Sequence, residues 1–134
     1  MARIINIEGI GETYTEKLGL LGITTTEKLL ELCGNKQGRV QAAEKTGIFE
    51  KQILEWVNLA DLFRISGVGE QYSDLLEEAG VDTVAELAQR NPENLFNKMI
   101  EVNKEKNLVN RTPWQSRVES WVKQAKALPR MVEY

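Results

Sequence analysis

The stretch "IEGIGETY" at residues 7–14 returns as "ISGVGEQY" at 65–72. An octapeptide that recurs with its glycines in register marks a repeated structural unit, and this constrains the fold more than any other feature of the chain. Sliding residues 7–32 by 58 positions onto 65–90 gives nine identities in 26, among them Gly9/Gly67, Gly11/Gly69, Gly22/Gly80, Tyr14/Tyr72 and Leu18/Leu76. After a net insertion of seven residues the second halves correspond as well. At an offset of 65, Phe49 meets Trp114, Ile53 meets Val118, Trp56 meets Trp121 and Ala60 meets Ala125. The 134 residues read as a single domain, 1–134, with an internal repeat at 7–63 and 65–128.

Within each repeat the hydrophobic spacing is helical. "ETYTEKLGLL" puts Tyr14, Leu18 and Leu21 on one face, and Gly22 is placed to stop that helix in the left-handed conformation glycine tolerates. Thr24, with Glu27 three residues on, has the form of a capping box for the next helix. A short helix near 37–45 ends at Gly47, and a longer one near 50–63 carries Ile53, Trp56, Val57, Ala60 and Phe63 at helical spacing. In the second repeat Asn91 and Thr112 stand as caps before Pro92 and Pro113, each proline at a first helical position. The last helix, 113–128, has an apolar stripe of Trp114, Val118, Trp121, Val122, Ala125 and Leu128. Only "RIIN", before the first turn, has an extended reading. The expected fold class is all-α.

Composition narrows the chemistry. With no His and Cys33 as the only cysteine, an intramolecular disulfide and the usual zinc, haem and iron–sulfur sites are excluded, and "LLELCGN" places Cys33 as a small core residue. No nucleophile has a base, and no carboxylate set has metal-site spacing; the neighbours Glu77 and Glu78 diverge on a helix. A non-enzymatic protein without cofactor or metal is expected. No apolar run nears the roughly 20 residues that span a bilayer, and "MARIINIEG" lacks the apolar stretch of a signal peptide. A cytoplasmic location and no membrane partner follow as expectations. Net charge is −3, but residues 1–97 hold 16 acids and 9 bases while 98–134 hold 4 acids and 8 bases. Any polyanion would have to use the C-terminal end.

A hydrophobic-Gly-hydrophobic-Gly turn leading straight into a helix gives backbone angles that a Cβ opposes and lets another molecule approach the main chain. Its amides lie beside the positive end of a helix dipole. "GIGETYTEKL" at 9–18 and "GVGEQYSDLL" at 67–76 resemble the helix-hairpin-helix superfamily. Thr15 and Ser73 take the small position four residues after the second glycine, and Leu18 and Leu76 the hydrophobic position seven after it. Nearly the whole chain also resembles a bacterial helical family of unknown function built from two such units. The resemblance implies duplicated helix-hairpin-helix (SAM-like) units packed as one pseudo-two-fold domain. It implies that each turn sits between two helices. Because only six residues precede the first turn, helix 113–128 is expected to fold back against it, with Trp56 and Trp121 as equivalent anchors.

In helix-hairpin-helix proteins that bind DNA, the turn amides contact phosphate without reading sequence, and nearby Lys or Arg adds charge. By motif position those groups would be Gly9, Gly11, Glu12, Gly67, Gly69 and Glu70. The resemblance also raises a monovalent cation on the turn carbonyls. This sequence departs from the DNA-binding pattern, because Glu8, Glu12 and Glu16 surround the first turn and Glu70, Asp74, Glu77 and Glu78 follow the second. Two like charges about 6 Å apart at a dielectric of about 20 repel by roughly 3 kcal/mol, enough to cancel one phosphate contact. The turns therefore read first as architecture, then as a surface for a partner protein, and last as a nucleic-acid site. Tyr14 and Tyr72 are expected to pack against the neighbouring helix, with a partner anchor as the alternative. Arg117, Lys123, Lys126 and Arg130 on the basic C-terminal segment are the nucleic-acid candidates, against a solvated helix face. The function expected is an interaction module for a protein partner or for a second copy of itself. The competing reading is sequence-independent DNA binding.

Overall fold

Two separate hydrophobic cores organise the chain. A computed structural model describes residues 2–134. Among the described residues it is all-α, with eight helices and no sheet. They are α1 (Glu12–Gly19), α2 (Thr26–Cys33), α3 (Lys36–Thr46), α4 (Glu50–Leu62), α5 (Glu70–Glu78), α6 (Val84–Ala88), α7 (Pro92–Lys106) and α8 (Gln115–Ala127). The chain divides into one unit of Met1–Asp61 with Arg130–Tyr134, and a second of Leu62–Pro129. Among the described residues, no helix is long and apolar enough to cross a membrane.

The first unit buries Ile4, Ile7, Leu18, Leu29, Ile53 and Trp56, and takes in Val132 from its C-terminal segment. Arg39, only 2% exposed, holds that segment in place. Its guanidinium donates to the carbonyls of Cys33 (3.1 Å), Gly34 (2.9 Å) and Glu133 (2.7 Å), and the Glu133 amide donates back to the Gly34 carbonyl at 2.8 Å. The second unit buries Leu75, Leu76, Val84, Leu95, Met99 and Trp121, with α8 packed on α6 and α7.

Several helix ends differ from the sequence reading for local reasons. The cap of α2 is Thr25, whose hydroxyl accepts from the Lys28 amide at 3.1 Å. Thr24 is occupied elsewhere, its carbonyl accepting from the Ile4 amide. Residues Ile4–Asn6 form a 3-10 turn, so of "RIIN" only Arg3 pairs as extended chain, bridging Thr25. Asn91 caps α7 with Pro92 first in the helix, as the sequence indicates. Thr112 and Pro113 do not start α8. Trp114 takes the cap position in an extended conformation, and its carbonyl accepts from the Arg117 and Val118 amides.

The expected return of 113–128 to the first turn is also corrected. Trp56 of α4 lies against the first turn, and Trp121 of α8 lies against the second. Each turn is backed by the closing helix of its own unit, 47 residues downstream in the first and 54 in the second. The difference is the seven-residue insertion, which falls between residues 90 and 114.

Candidate interaction surface

The first glycine of each turn has a backbone only glycine adopts readily, φ +92° at Gly9 and +94° at Gly67. Each also lets an indole approach. A Cβ on Gly9 would lie 3.3 Å from Trp56 Nε1, and one on Gly67 would lie 3.2 Å from Trp121 Nε1 and 2.9 Å from Arg117 Nη2. The second glycines have another use. Gly11 and Gly69 are extended N-caps of α1 and α5 with no capping side chain and open space where a Cβ would stand. The small residues after them bond backward: Thr15 Oγ1 donates to the Gly11 carbonyl (2.9 Å) and Ser73 Oγ to that of Glu70 (3.0 Å).

The tyrosines rest on the tryptophans behind the turns. Tyr14 and Trp56 rings are 4.9 Å apart, Tyr72 and Trp121 rings 5.4 Å, both tilted as aromatic pairs prefer. In the second unit Arg117 stacks 5.7 Å over Tyr72 and 5.8 Å over Trp121, and Nη2 donates to the Gly67 carbonyl at 3.4 Å. Gln52 occupies the equivalent position in the first unit. Glu8, Glu12 and Glu16 stand exposed around the first turn, and Glu70 beside the second.

The other candidate cations lie on two elements. Lys123 and Lys126 are exposed on α8, which ends at Ala127. Arg130 belongs to the C-terminal segment of the first unit, where Nε donates to the Val132 carbonyl at 2.9 Å and the guanidinium lies 5.9 Å from the Tyr134 ring. The carboxylates gather more than their order suggested. Asp74, Glu77 and Glu78 bring oxygens within 4.8 Å of one another, because positions i, i+3 and i+4 share a helix face. Lys106 pairs with Glu78, and that bond and charge raise the lysine above its ordinary value.

The exposed aromatics at the start of α4 and α8 are the residues that sequence reasoning did not single out as a site. Phe49 is 83% exposed and Trp114 is 73% exposed, although Trp114 was expected in the buried stripe. They are equivalent at the offset of 65, and each carbonyl accepts the first amide bond of its helix. The signal was present in the repeat alignment: a large aromatic in both copies at a position where Ser, Thr, Asp or Asn serves a helix better. Each borders a cleft. Phe49 joins Tyr14, Lys17, Gly47, Ile48 and Gln52 around about 130 Å³. Trp114 joins Phe96, Arg111, Thr112 and Pro113 around about 360 Å³.

The loop carrying Trp114 is held firmly. The Asn103 side chain grips Val109 from both sides, Nδ2 donating to its carbonyl (3.1 Å) and Oδ1 accepting from its amide (3.0 Å). Tyr72 Oη donates to the Arg111 carbonyl at 3.2 Å. Val109 and Pro113 are buried beneath.

No curated protein and no solved structure matches this chain. A family model does match, over residues 8–128. The chain belongs to the family described as a domain of unknown function, DUF4332.

Proposed function

We propose that the chain is a non-enzymatic interaction module built from two helix-hairpin-helix units, and that it binds a partner protein or a second copy of itself. The observation that carries this reading is the exposed pair Phe49 and Trp114 at equivalent places in the two units. Leaving such side chains in water forgoes about 2 kcal/mol each of burial, and neither supplies a helix cap in return. Aromatics of this kind are the usual anchors of protein interfaces. Placing the photo-crosslinking residue p-benzoylphenylalanine at Phe49 or Trp114 in the source cell tests the reading. Discrete protein adducts at these positions, absent from the same probe at Lys36, support it. Nuclease-sensitive adducts, or none, sink it.

Nucleic-acid binding has one supporting observation, Arg117 beside the second turn. That guanidinium is already engaged by two rings and a carbonyl. The surrounding acids and an already engaged guanidinium give it less support than the aromatic pair gives the first reading.

A further inference from the structure

The cleft beside Trp114 combines three properties that bear on binding. It is apolar, lined by Phe96, Pro113 and the exposed indole. Its only charged lining residue is Arg111, exposed and without an ion pair among the described residues. It stands on a loop braced by Asn103 and Tyr72, so little ordering would be needed on binding. The braced loop lies in the segment where the second unit is seven residues longer than the first.

Resting on the interaction-module reading, we infer that this cleft receives a short acidic segment of a partner protein. One apolar side chain of the segment enters between Phe96 and Trp114, and a neighbouring carboxylate pairs with Arg111. Charge complementarity selects this occupant. A lone guanidinium in a fixed loop suits a carboxylate, which it can bind through two parallel hydrogen bonds. A nucleic-acid strand carries a phosphate at every nucleotide and is tracked by a groove of several cations. The lining offers one. A basic segment would meet repulsion.

The test uses the full chain and defined fluorescein-labelled peptides of about ten residues, with a central Leu or Trp flanked by Glu and Asp, their Lys-flanked counterparts, and oligo-dT. The acidic peptides are expected to bind at micromolar concentration and to shift Trp114 emission to shorter wavelength. Trp114→Ala should weaken them at least about tenfold, and Arg111→Glu should reverse the preference toward the Lys-flanked set. Both changes are at exposed side chains, and thermal melts would establish that the fold is kept. Failure of every acidic peptide overturns the proposal, as does binding that Arg111→Glu leaves unaltered. Acidic-peptide binding lost on Phe49→Ala but kept in Trp114→Ala overturns this site while leaving the interaction-module reading intact. Preference for oligo-dT overturns both.

Discussion

Trp56 and Trp121 are each 1% exposed and fill the space that a glycine leaves in the turn above. Replacing either with Ala removes a large buried ring, and urea unfolding should report a loss of about 3–5 kcal/mol. Gly9→Ala and Gly67→Ala should each cost about 1–3 kcal/mol through their positive φ. The same change at Gly11 or Gly69, extended and open, should cost under about 1 kcal/mol. Equal losses at all four glycines would contradict the division of labour between first and second positions. The glycine pairs and the tryptophan pairs were legible because each occurs twice. Which turn each tryptophan backs was not, since residues 47 or 54 apart meet through packing that periodicity does not encode. Arg39 was invisible for a similar reason: nothing local distinguishes a buried arginine whose three acceptors are main-chain carbonyls. Arg39→Met should destabilise on the order of 3 kcal/mol by removing its hydrogen bonds to those carbonyls, and should speed hydrogen exchange at the Glu133 amide.

At the level of helices and loops, most element identities followed from hydrophobic spacing, whereas ends did not. Asn91 was read as the cap of α7 and is one, but the signal Thr112-Pro113 was overridden when Pro113 itself was buried in the loop ahead of the helix. That loop is the element on which the proposed docking site depends. Asn103→Ala should free Val109, cost about 1–2 kcal/mol, and weaken acidic-peptide binding without touching the cleft itself. Unchanged affinity in this variant would show that the brace does not serve binding. On α2, burial pushes the Cys33 thiol above its ordinary value, with Arg39 partly opposing. The native state therefore favours the protonated thiol. This contribution is complete below the ordinary thiol range and is lost as pH rises through it, because only the unfolded chain then releases the proton. Cys33→Ala should accordingly flatten the fall in stability between about pH 8 and 10, measured by denaturant midpoints against the wild type. An identical fall in the variant would assign that slope to other groups.

Across the whole molecule, charge is close to balanced within each unit. The chain order suggested a basic C-terminal end; Arg130 groups with the first unit, and Lys106 pairs with Glu78. Residues 1–61 with 130–134 hold ten acids against eight bases, so neither unit is basic. The all-α class and the repetition were readable from sequence because spacing and glycine register carry them. An interaction surface is an exposed arrangement, and its residues declare themselves only when their burial is known. The most direct test of the central claim is fluorescence anisotropy of labelled single- and double-stranded DNA with the full chain at about 50 and 200 mM salt. The account predicts no binding at either, in the wild type or with Lys123, Lys126 and Arg130 changed to Glu. Micromolar binding at the lower salt that collapses at the higher would contradict it, and dependence on those three residues would place the site at the C-terminal cations.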